Sequence, residues 1–146
     1  MIFYQNIKKT LFIIILTLNL ASCGKDESVE NVFQAINILS SLGNFVPQQA
    51  LQLTDSEERY YRNSYCQAYS LGSDYKINTL RKKLGNEFGN KWAKTVPSLE
   101  IICTHWEAAK DLKPGYKFKQ DHLNRVFGAM QNLENFRLFY VRWRNS

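Results

Sequence analysis

The sequence predicts an all-α fold, a small compact bundle of about five helices stapled by one disulfide. Three observations carry that expectation. From Val29 onward, apolar residues recur every three or four positions, the period of a helix with one buried face. Capping residues, glycines and prolines punctuate these runs at helix-length intervals. Finally, Cys66 and Cys103 fall on two different predicted helices, where a bridge between them would tie one to the other.

The first helix starts at Ser28, whose hydroxyl suits an N-cap. Val29, Val32, Phe33, Ile36 and Leu39 form its stripe, and Gly43 is placed to end it. The connector "NFVPQQALQL" is broken by Pro47. Thr54 and Glu57 make a capping box for a second helix running to Gly72. Ile77, Leu80, Leu84 and Phe88 line a third, with Gly85 and Gly89 at or near its end and an irregular stretch expected through Trp92. A fourth helix takes Pro97 into its first turn and carries Leu99, Ile102, Cys103, Trp106 and Ala109 on one face, until Pro114-Gly115 stops it. The fifth begins near Lys119 and bears Leu123, Val126, Phe127, Met130 and Leu133. Beyond Asn135 the aromatic and β-branched content of residues 136–144 suits a strand as well as a helix. Helix is the consistent reading, because a lone terminal strand would have nothing to pair with.

The segment ahead of this body has a different logic. Residues 1–10 carry Lys8 and Lys9 and no acid, and "LFIIILTL" follows at Leu11 to Leu18. The apolar run to Ala21 is much shorter than the roughly 20 residues that cross a bilayer, so a cleavable signal peptide fits better than a membrane span. Leu20-Ala21-Ser22-Cys23 resembles the lipobox of bacterial lipoproteins. The resemblance implies that the Cys23 thiol is diacylated and becomes the new N-terminus. On that reading residues 1–22 are signal peptide, 23–28 are the lipidated cysteine with a short tether, and 29–146 are a single helical domain. The protein then sits in the bacterial cell envelope, held to the membrane by two or three acyl chains, since one chain alone binds only reversibly. Gly24 stands where enteric lipoproteins with an inner-membrane retention signal have aspartate, which points to the outer membrane if the cell has one.

Three cysteines in an exported chain would leave one thiol unpaired. Lipidation of Cys23 removes that oddity and leaves Cys66 and Cys103 as a disulfide pair. No metal site is expected: neither cysteine belongs to a C-x-x-C, and His105 and His122 complete no familiar zinc spacing.

Charge gives the first hint of a partner. The 124 residues that remain when 22 of the 146 are removed carry 17 Lys and Arg against 13 Asp and Glu. Residues 24–58 hold one lysine and six acids, while residues 59–146 hold sixteen bases and seven acids. A basic body beyond an acidic entry suits an envelope protein or an anionic envelope polymer. The aromatic-rich stretch "FRLFYVRWR" concentrates the residue types that dominate binding hot spots. Arg137, Tyr140, Trp143 and Arg144 fall three or four apart there and share one helix edge, with Arg142 beside them; these five are the candidate binding residues. Against this stands the plainer reading that the aromatics are core or core rim, covered by arginine stems. Nucleic acid is not expected as a partner, since no recognition module is visible.

No constellation identifies a catalytic residue or a cofactor. His105 and Glu107 are two apart and diverge on a helix, and Asp121-His122 reads as a helix-start acid followed by a surface histidine. H-E-x-x-H, G-x-S-x-G and phosphate-loop patterns do not occur. Three function classes therefore stand. First is a non-catalytic envelope lipoprotein that binds or scaffolds a partner through a basic, aromatic-rich surface. An immunity, exclusion or inhibitor-type protective lipoprotein is the alternative. The third is a small hydrolase of wall or lipid, whose paired carboxylates would leave no local signature.

Overall fold

The computed structural model describes residues 27–42, 55–112 and 117–146. Five helices account for most of them, with no strand among the described residues: α1 (Glu27–Ser40), α2 (Asp55–Gly72), α3 (Ile77–Leu84), α4 (Asn86–Lys110) and α5 (Gln120–Arg144). The all-α bundle expected from the periodicity is thus observed. Cys23, Gly43, the Pro47 connector, Thr54 and Pro114-Gly115 lie outside the described residues.

Helix α4 is the spine. It packs against α2, α3 and α5, while α1 packs on α2. Its buried positions Phe88, Trp92, Val96, Leu99, Ile102 and Trp106 recur every three or four residues on both sides of Pro97, with Cys103 beside Ile102, along most of the helix. That continuity explains the largest departure from the sequence reading. The irregular stretch expected through Trp92 is helical, and Pro97 sits in the helix interior instead of the first turn. A mid-helix proline costs about 3 kcal/mol, largely through the backbone bond it cannot make and its clash with the preceding turn. Burying Phe88 and Trp92 on the near side of Pro97 outweighs this, at roughly 1.5–3 kcal/mol for each large apolar side chain. Pro97 itself is exposed, so water reaches the interrupted turn.

The break between α3 and α4 is a single residue. Gly85 adopts φ 99°, a conformation L side chains rarely take, and its N–H donates to the Arg81 carbonyl at 3.0 Å to close α3. Its own carbonyl then accepts from Gly89 N–H at 3.1 Å, already inside α4. Gly89 therefore does not end a helix. At the other end of the chain, Ser28 is a second correction: α1 begins one residue earlier, and Ser28 is buried in its first turn instead of forming the cap.

The ambiguity over residues 136–144 resolves as helix, because α5 continues to Arg144 with Phe136, Phe139 and Tyr140 buried. Their rings gather around Phe88 of α4. Phe136 and Phe139 lie edge-on to it at 5.9 and 6.0 Å, Trp143 at 4.7 Å, and Phe33 of α1 at 6.1 Å. At the opposite end a disulfide joins Cys66 of α2 to Cys103 of α4, with the two Cα atoms 4.8 Å apart.

Candidate functional site

The C-terminal half of α5 carries the five predicted binding residues, and the fold divides them into two kinds. Tyr140 and Trp143 form a wall. Tyr140 is buried and stacks between Phe136 at 6.2 Å and Trp143 at 6.0 Å. Trp143 is half-buried, and its indole N–H donates to the Leu84 carbonyl at 3.3 Å. These aromatics are core rim, as the plainer reading had it.

The arginines lie on that wall. Arg137 makes two parallel bonds to Glu134, Nε to Oε2 at 2.9 Å and Nη2 to Oε1 at 2.6 Å. That paired geometry holds the Glu134 carboxyl below its usual range and pushes the Arg137 guanidinium up. The Arg144 guanidinium sits 5.6 Å from the Tyr140 ring centroid, a cation–π distance. Arg142 is exposed.

Between α4 and α5 lies an open cleft of about 530 Å³, lined by Lys91, Asn135, Arg137, Leu138, Val141 and Arg142. Two of the five predicted residues line it. Lys91 was not legible as a member, because it lies in the stretch expected to be irregular. On a continuous α4 it is placed with its ammonium 5.4 Å from the Phe139 ring centroid. Leu138 is half exposed at 49%, so the cleft offers an apolar patch between cations. The Trp143 bond to Leu84 also brings the last turn of α3, with Arg81, Lys82 and Lys83 all exposed, toward this end of α5. The basic balance of the later chain is thus concentrated in part on one end of the bundle.

Two further groupings escape sequence logic. His105 and Glu107 diverge as expected, the first buried and the second exposed. His122, however, is no surface histidine: it is half-buried, and its Nε2 lies 2.9 Å from His105 Nδ1. Nothing in the spacing 105/122 signals this, because it depends on how α4 and α5 cross. Burial, and secondarily the neighbouring His122, push the His105 imidazole down to about 4. The second grouping surrounds the disulfide, where Glu107 Oε1 approaches Cys103 Sγ at 3.1 Å and Cys66 Sγ at 3.4 Å. Disulfide sulfurs carry no proton, so these are oxygen–sulfur contacts and not hydrogen bonds. The three groups are close enough to share a metal ion only as thiolates, which the disulfide precludes.

No protein-family model, no curated protein and no solved structure matches the chain.

Proposed function

We propose that the chain is a bacterial envelope lipoprotein, acylated at Cys23, whose helical domain is a non-catalytic module that binds an acidic protein through the basic face of α5. The observation that carries the reading is the α4–α5 cleft. Lys91 and Arg142 supply two cations beside exposed Leu138, with Arg137 next to them already paired to Glu134. Cations alone would suit any polyanion, but an apolar patch of this kind favours the side chains of a protein surface. The anchor reading is supported by Leu20-Ala21-Ser22-Cys23 and by the partnership of Cys66 with Cys103, which leaves Cys23 as the odd thiol. Among the described residues no helix is long and apolar enough to cross a membrane.

The test compares crosslinked envelopes carrying tagged wild type with those carrying Lys91→Glu/Arg142→Glu/Arg144→Glu, after both are shown to fold, anchor and accumulate equally. Arg137 is left intact because Glu134 already neutralises it. A defined acidic protein captured by the wild type, lost in the variant, and rebinding in purified form with steep salt dependence is the expected result. Retention of the same partner by both forms, or capture of anionic polymer alone, overturns the docking face.

A further inference from the structure

The chain has two histidines, and the fold brings both to the α4–α5 junction. His105 lies five residues before the end of α4 and is 1% exposed, while His122 is the third residue of α5. Phe118, in the approach to α5, lies 4.7 Å from each imidazole. Trp106 meets His105 edge-on at 5.4 Å, and Tyr61 of α2 stacks on Trp106 at 6.4 Å. His105 is therefore buried among aromatic groups, while half-buried His122 meets Phe118 and His105 itself.

We propose that this pair is a proton-operated latch, which holds the α4–α5 junction closed at neutral pH and releases it locally in acid. A hydrogen bond between two imidazoles needs one N–H and one bare nitrogen. One added proton can be accommodated, because a single cationic ring still has a bare nitrogen of the other ring to face. A second turns both facing nitrogens into donors, and attraction is replaced by repulsion between two cations, one of them buried. The positive end of the α5 dipole adds to the opposition.

The charged neighbours do not rescue the second proton. Helix α4 contributes Glu107, Lys110 and Asp111, the approach contributes Lys117 and Lys119, and α5 contributes Asp121 and Arg125, all exposed and nearly balanced in sign. From α2 come Tyr61 and the Glu58–Arg62 ion pair. His105 in the closed junction is held down to about 4, whereas in an open one it returns toward the ordinary 6.5. The closed form is thus fully favoured above pH 6.5 and weakens as the pH falls toward 4. Across that window the open-to-closed ratio rises about tenfold per pH unit.

Release stays local because the rest of the bundle is held by other means. The disulfide ties α2 to α4, and the cluster of Phe88, Trp92 and Phe136 fixes the far end of α5. Opening would uncover buried Trp106 and widen the exposure of Phe118 and Tyr61, which are already partly accessible. A metal centre is the weaker reading of the same pair, since no third imidazole, thiol or carboxylate joins it among the described residues.

The test is an NMR titration of the full chain without a histidine tag, labelled at histidine rings and at leucine and valine methyls, from pH 7.5 to 4. Only two ring signals exist to follow. The expected result is one ring resisting protonation, with the methyls of Leu112, Leu123 and Val126 shifting over the same window while those of Leu80 and Leu133 stay fixed. In His122→Gln burial still opposes protonation of His105, but the second cation is gone and the amide oxygen can accept from a protonated Nδ1, so the junction methyls should shift less, and at lower pH, than in the wild type. Both rings titrating near 6.5 with unmoved methyls, or identical methyl shifts in the wild type and His122→Gln, would overturn the latch. Should the variant fold poorly, the wild-type ring and methyl titrations decide on their own.

Discussion

The same substitution, glycine to alanine, should act in opposite directions at two helical positions. Gly72 closes α2 where α1, α2 and α4 meet. A Cβ added there would lie 2.5 Å from Trp92 Cζ2, 3.2 Å from Ala35 Cβ and 3.3 Å from Trp92 Cη2. The indole cannot easily turn aside: it is fully buried, its N–H donates to the Gly72 carbonyl at 2.9 Å, and Phe136 packs on it at 5.1 Å. Overpacking of this kind costs typically 1–3 kcal/mol, whereas alanine's helix propensity returns at most about 1 kcal/mol, and less at a helix end. Gly72→Ala should therefore lose about 1–2 kcal/mol. Gly128 is the internal control. It is exposed on α5, and a Cβ there meets nothing within 4 Å, so Gly128→Ala should gain roughly 0.5–1 kcal/mol. Urea unfolding at pH 7.5 with the disulfide intact measures both. A Gly72→Ala protein as stable as the wild type, or two variants moving in the same direction, would refute the packing argument.

Three further outcomes are expected. Replacing Cys66 and Cys103 together with alanine opens a loop of 38 residues and should cost about 4 kcal/mol in the chain-entropy model, read as a lower urea midpoint. Because burial lowers His105 from 6.5 to about 4 in the folded chain, stability should be full above pH 6.5 and fall by about 3 kcal/mol by pH 4. Glu134, whose carboxyl is also held down, contributes its loss only as the pH drops below about 4.5, so calorimetric melts at pH 6.5 and 5 isolate the histidine. Cys23→Ala should abolish labelling by a clickable fatty acid, and persistent labelling would remove the anchor.

The bundle was readable because helical periodicity reports which faces are buried, and five such stripes were present. What periodicity does not report is how far a helix outlasts a local break. Gly85, Gly89 and Pro97 each look like punctuation, yet only Gly85 interrupts, because its positive φ has no continuation in a helix. The other two are carried along by Phe88, Trp92 and Leu99, whose burial depends on neighbours distant in sequence. Gly72 makes the same point from the other side. It was legible as a helix end, but its lack of a side chain also serves close contact with Trp92, twenty residues away. The His105–His122 contact was illegible for the same reason, since it exists only where two helices cross. The Cys66–Cys103 bridge was legible because cysteine count and helix face both constrain it.

The segment 136–144 shows how one helix serves core and surface at once. Its aromatics face inward and its cations outward, but the two sets are mechanically linked. Arg144 rests on Tyr140, Arg137 is clamped by Glu134, and Trp143 is anchored to the α3 backbone. Long cationic side chains ordinarily lose rotamer freedom when they engage a partner, at roughly 0.5–1.5 kcal/mol each. Here Arg137 and Arg144 have given up much of it in the unbound fold. A partner meeting the proposed face would therefore find part of the charge pattern already placed, with Arg144 on Tyr140 and Lys91 on Phe139, while exposed Arg142 retains reach to adapt. Buried aromatics do not compete with a binding role for this helix, since Tyr140 and Phe139 are what Arg144 and Lys91 rest against.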